Sequence, residues 1–100
     1  ALNLELLVKD LRKDLDAPDL PFVVGQTGNA DNNELRKAQE AATQSADFEG
    51  AARYVPTRAF LRRPEDSPNQ GHGHHWFGNA ESYLRIGDAM GAAMVKLLSL

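Results

Sequence analysis

The three histidines of this chain lie between positions 72 and 75, at His72, His74 and His75. The only tryptophan, Trp76, follows them directly. Histidine has the side chain whose ordinary pKa lies closest to neutral pH, so it can accept and donate a proton under physiological conditions. Imidazole is also a ligand that zinc, nickel and copper accept. The cluster is therefore a candidate for proton transfer or for metal binding.

The composition excludes several other kinds of chemistry. The chain has 100 residues and no cysteine, which removes disulfides, thiol catalysis and cysteine-based zinc sites. Its formal net charge is -3, and its basic residues form a single small cluster in the sequence, Arg58, Arg62 and Arg63. This charge distribution argues against nucleic acid as the main partner. No apolar run approaches the roughly 20 residues that a membrane span needs. The length corresponds to one domain at most.

Hydrophobic spacing predicts the elements of the first half. Apolar residues at helical spacing indicate a helix from Asn3, a plausible N-cap, to about Leu15. The short apolar run from Leu20 to Gly25 is typical of a strand that is buried on both faces. A polar loop follows this strand. A second helix, with small apolar residues on one side, begins near positions 31 to 33, where Asp31 and Glu34 have the spacing of a capping box.

The second half contains one strand, one long loop and one helix. Residues 51 to 57 form the second strand, parallel to the first because a helical crossover fits between them. Residues 58 to 78 show no periodicity and form a long loop. The last helix runs from Asn79, its N-cap, to about Leu98. Its core face holds Tyr83, Ile86, Met90, Ala93 and Leu97, and Gly87 and Gly91 are expected to permit close packing on the sheet.

The order α-β-α-β-loop-α belongs to a three-layer α/β fold. Two strands are too few for a stable sheet with helices on both faces, so we expect the C-terminal part of a larger domain. The alternative is a small self-contained α+β domain. Because ligands bind beyond the carboxyl ends of parallel strands, the loop from Gln26 to Asn29 and the histidine loop are expected to meet at one edge.

Three segments carry a resemblance to a known family: Pro21–Gly28, Arg58–Phe60 and Gly73–Gly91. They resemble the C-terminal part of the sialate O-acetylesterase-like carbohydrate esterases, which belong to the SGNH/GDSL hydrolases. The resemblance covers most of the chain from Leu20 onward and is most specific from His75 to Tyr83. It implies a flavodoxin-like α/β/α fold.

The resemblance also implies an activity, the hydrolysis of O-acetyl esters on sugars by a serine nucleophile and a histidine base. The position of that histidine carries over to His75. Gln26 and Trp76 are candidates for contact with substrate, although each also fits a framework role, as a loop hydrogen bonder and a packing residue. The resemblance implies no metal or organic cofactor. Its partners would be an acetylated carbohydrate and the remainder of its own hydrolase domain, and its location would be secreted or periplasmic.

This chain departs from the family pattern in two respects. It has no Gly-Asp-Ser motif, and its serines at 45, 67, 82 and 99 stand in other contexts, so we expect it to be inactive alone. The family's orienting aspartate often lies three residues before the histidine, where this chain has His72. Asp66 is the candidate replacement, with Glu65 or a Ser-His dyad as alternatives. The rival function is a noncatalytic binding module that holds a transition metal through His72, His74 and His75.

Overall fold

Helices and short strands alternate along the chain in the order that the spacing predicts. The computed structural model describes residues 1–28 and 31–99; Asn29 and Ala30, assigned above to the loop after the first strand, lie outside the described residues, as does Leu100. Within the described ranges the helices and strands are α1 (Leu2–Asp14), β1 (Phe22–Gly25), α2 (Asn33–Thr43), β2 (Ala52–Val55) and α3 (Ala80–Leu98).

The two strands are parallel neighbours, which confirms the expectation from the length of their connection. Phe22 pairs with Ala52 at one end of the register and Gly25 with Val55 at the other. Successive residues of a strand face opposite sides of the sheet. Gly25 therefore faces α3, where an added Cβ would lie 2.9 Å from Sδ of Met90.

The other side of the sheet faces α1 and α2. There the ring of Phe22 packs edge-on against Phe48, with 5.0 Å between centroids, and the Arg12 guanidinium of α1 lies 5.1 Å from the centroid of Phe48. Helix α2 contacts both strands and α1. The result is an open two-stranded parallel α/β sheet between helices, in agreement with the predicted fold class. No helix in residues 1–28 and 31–99 combines the length and the hydrophobicity that a membrane crossing needs.

Two of the three predicted helix caps are wrong. Helix α1 begins at Leu2, so Asn3 lies within its first turn, and the preceding Ala1 offers no side-chain hydrogen bond. Asp31 does not cap α2; the side chain of Asn32 does, by accepting from Leu35 N at 2.9 Å. The cap must directly precede the first helical residue, because only from there does a short side chain reach the free N–H groups. The third cap, Asn79, is confirmed by its contact with Ser82 N.

Packing also differs from the expectation at several positions. All four residues of β1 are half-buried, because a two-stranded sheet supplies too few neighbours to cover both faces. Tyr83 is 50% exposed and lies outside the core. A Cβ added at Gly87 or Gly91 would meet nothing within 4 Å, so neither glycine is needed for the close packing on the sheet that was expected. The buried apolar residues of the described chain are Val8, Ala42, Phe48, Val55, Trp76, Ala93 and Leu97.

The segment from 58 to 78, expected to be without structure, folds through short turns. Single 3-10 turns lie at Arg58–Phe60 and Pro64–Asp66, and Gly73–Gly78 contains two turns that meet at a kink, where His75, Trp76 and Phe77 leave helical geometry. The Ser82 hydroxyl of α3 is fully buried and donates to the carbonyl of Phe60 at 2.7 Å. A single turn is too short to show a hydrophobic period, so the sequence pattern could not predict these turns.

Candidate functional site

The loop after β1 begins with Gln26, which continues the strand ladder. Its N–H donates to Val55 O at 2.9 Å, and its side-chain Oε1 accepts from Thr57 N at 3.0 Å and Arg58 N at 3.2 Å. The hydroxyl of Thr57, which is buried, donates to the carbonyl of Gln26 at 2.8 Å. Through these hydrogen bonds Gln26 joins the carboxyl ends of both strands. They correspond to the framework role, the alternative to substrate contact that was considered for Gln26 from its sequence position.

Thr27 and Gly28 are held by α2. Gln39 accepts from Thr27 N at 2.9 Å, and the buried Arg36 donates to the carbonyl of Gly28 at 3.3 Å. The indole of Trp76 lies directly against Gly28: a Cβ there would be 2.5 Å from indole Nε1 and would overlap two of its ring carbons. The two loops at the carboxyl edge therefore meet, as expected.

The histidine loop closes mainly through its own backbone. His72 O accepts from both His75 N and Phe77 N at 3.0 Å, and Phe77 O accepts from Asn69 N at 3.0 Å. Trp76 and Phe77 have positive φ angles of 54° and 53°, and Gly78 follows with a φ of 64°. Two consecutive aromatic residues in the left-handed region are strained, a state that persists only where the surroundings enforce it.

His75 is fixed at its backbone and free at its ring. Its carbonyl accepts from the Tyr83 hydroxyl at 2.7 Å, and the next carbonyl, of Trp76, accepts from Asn79 N at 3.0 Å. The side chain of His75 is exposed, and within residues 1–28 and 31–99 no hydrogen bond involves a histidine ring. Such a ring is available to a substrate or to a hydroxyl group brought to it.

The three imidazoles lie close together without forming a metal-ligand set. Ring centroids are 4.2 Å apart for His74 and His75 and 6.3 Å apart for His72 and His75. Across the part of the chain that the structure describes, no three His, Asp or Glu side chains are arranged to hold a metal ion. The geometry therefore gives the metal-binding alternative no support.

The structure does not bring Asp66 to a histidine. Its carboxylate accepts from Arg63 Nε at 2.8 Å, and the same arginine lies 3.4 Å from Glu65, the other candidate acid. The backbone of Asp66 does reach the start of α3, where its carbonyl accepts from Asn79 Nδ2 at 3.3 Å. Asn79 is buried and also donates to Ser67 Oγ at 3.0 Å. One amide thus ties the Asp66 turn to the end of the histidine loop.

A second polar group stabilises the start of α3 from the surface. Glu81 pairs with Arg62 at 3.1 Å and with Arg85 at 2.8 Å. The hydrogen bonds from these two guanidinium groups lower the pKa of Glu81 from its ordinary value to about 2. The carboxylate also faces the positive end of the helix dipole. Glu81 therefore remains charged throughout the neutral range.

Sequence reasoning did not find the contributions of Gly28 and Tyr83. Gly28 stood in a segment without a phosphate-binding fingerprint, and its closeness to Trp76 arises between residues 48 positions apart. Tyr83 was assigned to the core because it falls on the helical period of Ile86 and Met90. The one available signal was the position of Tyr83, eight residues after His75 and in the first turn of the helix that follows the histidine loop.

The described elements form an open parallel sheet between helices, which is consistent with part of an α/β hydrolase-type fold. The family model described as carbohydrate esterase, sialic acid-specific acetylesterase matches residues 1–96. The chain therefore belongs to this family of carbohydrate esterases, in agreement with the resemblance seen in its sequence. No curated protein and no solved structure matches the chain at a significant level.

Proposed function

We propose that this chain supplies the histidine base of a serine esterase that removes acetyl groups from sugars. The observation that carries the proposal is the position of His75. Its exposed ring precedes α3, and the adjacent Trp76 packs on Gly28, three residues beyond the end of β1. Ligands of open parallel sheets bind in this region, beyond the carboxyl ends of the strands. Membership of the family supports acetylated sugars as the substrate class.

The proposed reaction is acyl transfer in two steps. His75 accepts the proton of a serine hydroxyl as the serine oxygen bonds to the acetyl carbonyl carbon, and it then donates this proton to the departing sugar oxygen. The product of this step is an acetyl-serine ester. Water attacks that ester while His75 accepts a proton from the water and returns it to serine, which releases acetate.

We propose that the serine comes from a segment outside these 100 residues, because no Gly-Asp-Ser motif occurs within them. Exposed apolar residues on both sides of the sheet support this view. Leucines of α1 are exposed on one side and apolar residues of α3 on the other, and large exposed apolar areas are typical of surfaces that another segment covers. The occupant we propose is the remainder of the hydrolase domain; the exposed residues are Leu2, Leu6, Leu7, Leu11 and Leu15 of α1 and Leu84, Val95 and Leu98 of α3.

The candidates for the orienting acid are engaged elsewhere. Asp66 and Glu65 both lie against Arg63, so either would have to leave that arginine before it could orient His75. We therefore favour a dyad of His75 and the serine supplied from outside these residues; Asp66 would complete a triad only after it had left Arg63. We propose that Gln26 and Trp76 shape the site. The side chain of Gln26 is occupied by hydrogen bonds to the protein, and the ring of Trp76 is buried.

The test is to replace His75 in the protein that carries the serine segment. We expect His75→Ala to lower kcat for acetate release from an O-acetylated sugar by at least about 100-fold, the range of general base catalysis. His74→Ala is the matched control, an exposed neighbour that should retain nearly full activity. Full activity of the His75 variant would overturn the assignment. Loss of activity in both variants would contradict the assignment of the base to His75 alone and would indicate that both histidines are required.

A further inference from the structure

We infer that Gly28 is a positioning residue for His75 and acts through the ring of Trp76. The inference rests on the proposed role of His75 and adds a residue from the other loop to it. The three atoms nearest to a Cβ at Gly28 all belong to Trp76, the residue that follows the base along the chain. The effect of Gly28 should therefore appear in the rate of the chemical step, and less in substrate binding.

The first argument is steric. The indole lies so close to the backbone of Gly28 that an added Cβ would overlap ring atoms Cε2 and Cζ2 and lie 2.5 Å from Nε1. Observed Cβ contacts almost never fall below 3.0 Å. No residue other than glycine fits, because every other side chain begins with a Cβ that would displace the ring.

The second argument is that Gly28 belongs to a fixed surface. Gln26 is bonded to the exit of β2, Thr27 to Gln39, and the carbonyl of Gly28 to Arg36. Gln26, Thr27 and Gly28 are thus each held by another element. Because these three residues are anchored, we expect a clash at Gly28 to be relieved by movement of Trp76.

The third argument is the backbone between the ring and the base. His75 and Trp76 are adjacent, and Trp76 and Phe77 both have left-handed conformations, at a cost on the order of 1–3 kcal/mol each. Trp76 is only 9% exposed, so burial of its ring against Gly28 helps to offset that cost. Displacing the ring would release the turn and move His75, and a shift of about 1 Å at a catalytic group can lower a rate about 100-fold.

The experiment is a double-mutant cycle of Gly28→Ala and Trp76→Ala, measured in the protein that carries the serine segment. We expect Gly28→Ala to lower kcat by about 10- to 100-fold with little change in KM. In the Trp76→Ala background the same substitution should have almost no further effect, because the atoms that it would meet are gone. Gly71→Ala is the control, since a Cβ there meets nothing within 4 Å.

Trp76, the only tryptophan of these 100 residues, also offers a direct readout, taken as the difference in emission between the protein that carries the serine segment and its Trp76→Phe variant. Gly28→Ala should shift its emission to longer wavelength and increase quenching by acrylamide, and Gly71→Ala should change neither. If Gly28→Ala unfolds the protein, the double variant should regain the melting temperature of Trp76→Ala alone, because the clash is absent from both.

Three outcomes separate this inference from the proposed function. Equal activity of Gly28→Ala and Gly71→Ala, with His75→Ala inactive, would overturn the positioning role alone. Full activity of His75→Ala would overturn the proposed base, whatever the fluorescence shows. Additive effects of Gly28→Ala and Trp76→Ala would show that the two residues act independently and would also contradict the inference.

Discussion

The two loops at the carboxyl edge of the sheet use their side chains in opposite ways. In the loop after β1, Gln26 and Thr27 are bonded to β2 and α2. In the loop before α3, backbone hydrogen bonds hold the turn, and no histidine ring within residues 1–28 and 31–99 forms one. One loop therefore serves as a support, while the other presents side chains that are free to react.

This difference follows from what each loop has to do. A support needs its polar groups satisfied, because each buried group left without a partner costs about 1–3 kcal/mol. A general base needs the reverse, a ring that is placed by its backbone and remains open to the proton it must accept. The contact between Trp76 and Gly28 connects the two loops, and in the proposed site it would hold the backbone next to His75 in place.

The largest stability effect is expected where the histidine loop joins α3. Asn79→Ala removes the helix cap and the donors to Ser67 and Asp66, and should lower the free energy of unfolding by about 2–3 kcal/mol. Asn32→Ala removes an exposed cap from α2 and should cost about 1 kcal/mol or less. Urea denaturation of the two variants measures the difference, and equal losses would contradict the bridging role of Asn79.

A smaller loss is expected in the supporting loop. Gln26→Ala leaves the N–H of the buried Thr57 without its acceptor, so the free energy of unfolding should fall by about 1–2 kcal/mol. Gln70→Ala, an exposed glutamine without a side-chain hydrogen bond in the described chain, should change it by no more than about 0.5 kcal/mol.

The same measurement on His74→Ala tests the other half of the comparison. Its ring contributes no hydrogen bond to the described structure, so we expect a change within about 0.5 kcal/mol. A stability loss in His74→Ala as large as that in Gln26→Ala would remove the distinction between a supporting loop and a reactive one.

The smallest effect is expected at Glu81, and it depends on pH. Because the folded-state pKa lies near 2, below the ordinary value of 4.5, the charged carboxylate stabilises the fold above pH 4.5. That contribution is lost as the pH falls from about 4.5 towards 2. The stability difference between the protein and Glu81→Gln should therefore be present at neutral pH and vanish near pH 2, and it should shrink in high salt.

Thermal denaturation across this pH range, at low and high salt, measures the effect. A difference that persists unchanged at pH 2 would show that Glu81 acts through packing, and the ion pairs with Arg62 and Arg85 would then have no measurable role.

Local patterns predicted the elements because each depends on residues near in sequence. The helical spacing of α3, its cap Asn79 and the parallel pairing of two short strands could all be derived without coordinates. The caps of α1 and α2 could not, because several neighbouring polar residues compete at each helix start. The sequence does not say which of them precedes the first helical residue.

The sequence by itself determined the fold class and the clustering of the histidines, since these follow from period and adjacency, and it carried the segments that resemble the family. Only the tertiary structure showed that, within residues 1–28 and 31–99, no three His, Asp or Glu side chains are arranged to hold a metal ion, and that the carboxylate of Asp66 lies on Arg63. It also decided that Trp76 packs on Gly28. These contacts form between segments that are distant in the sequence. Hydrophobic spacing describes only residues that are near one another along the chain, so it cannot predict such contacts.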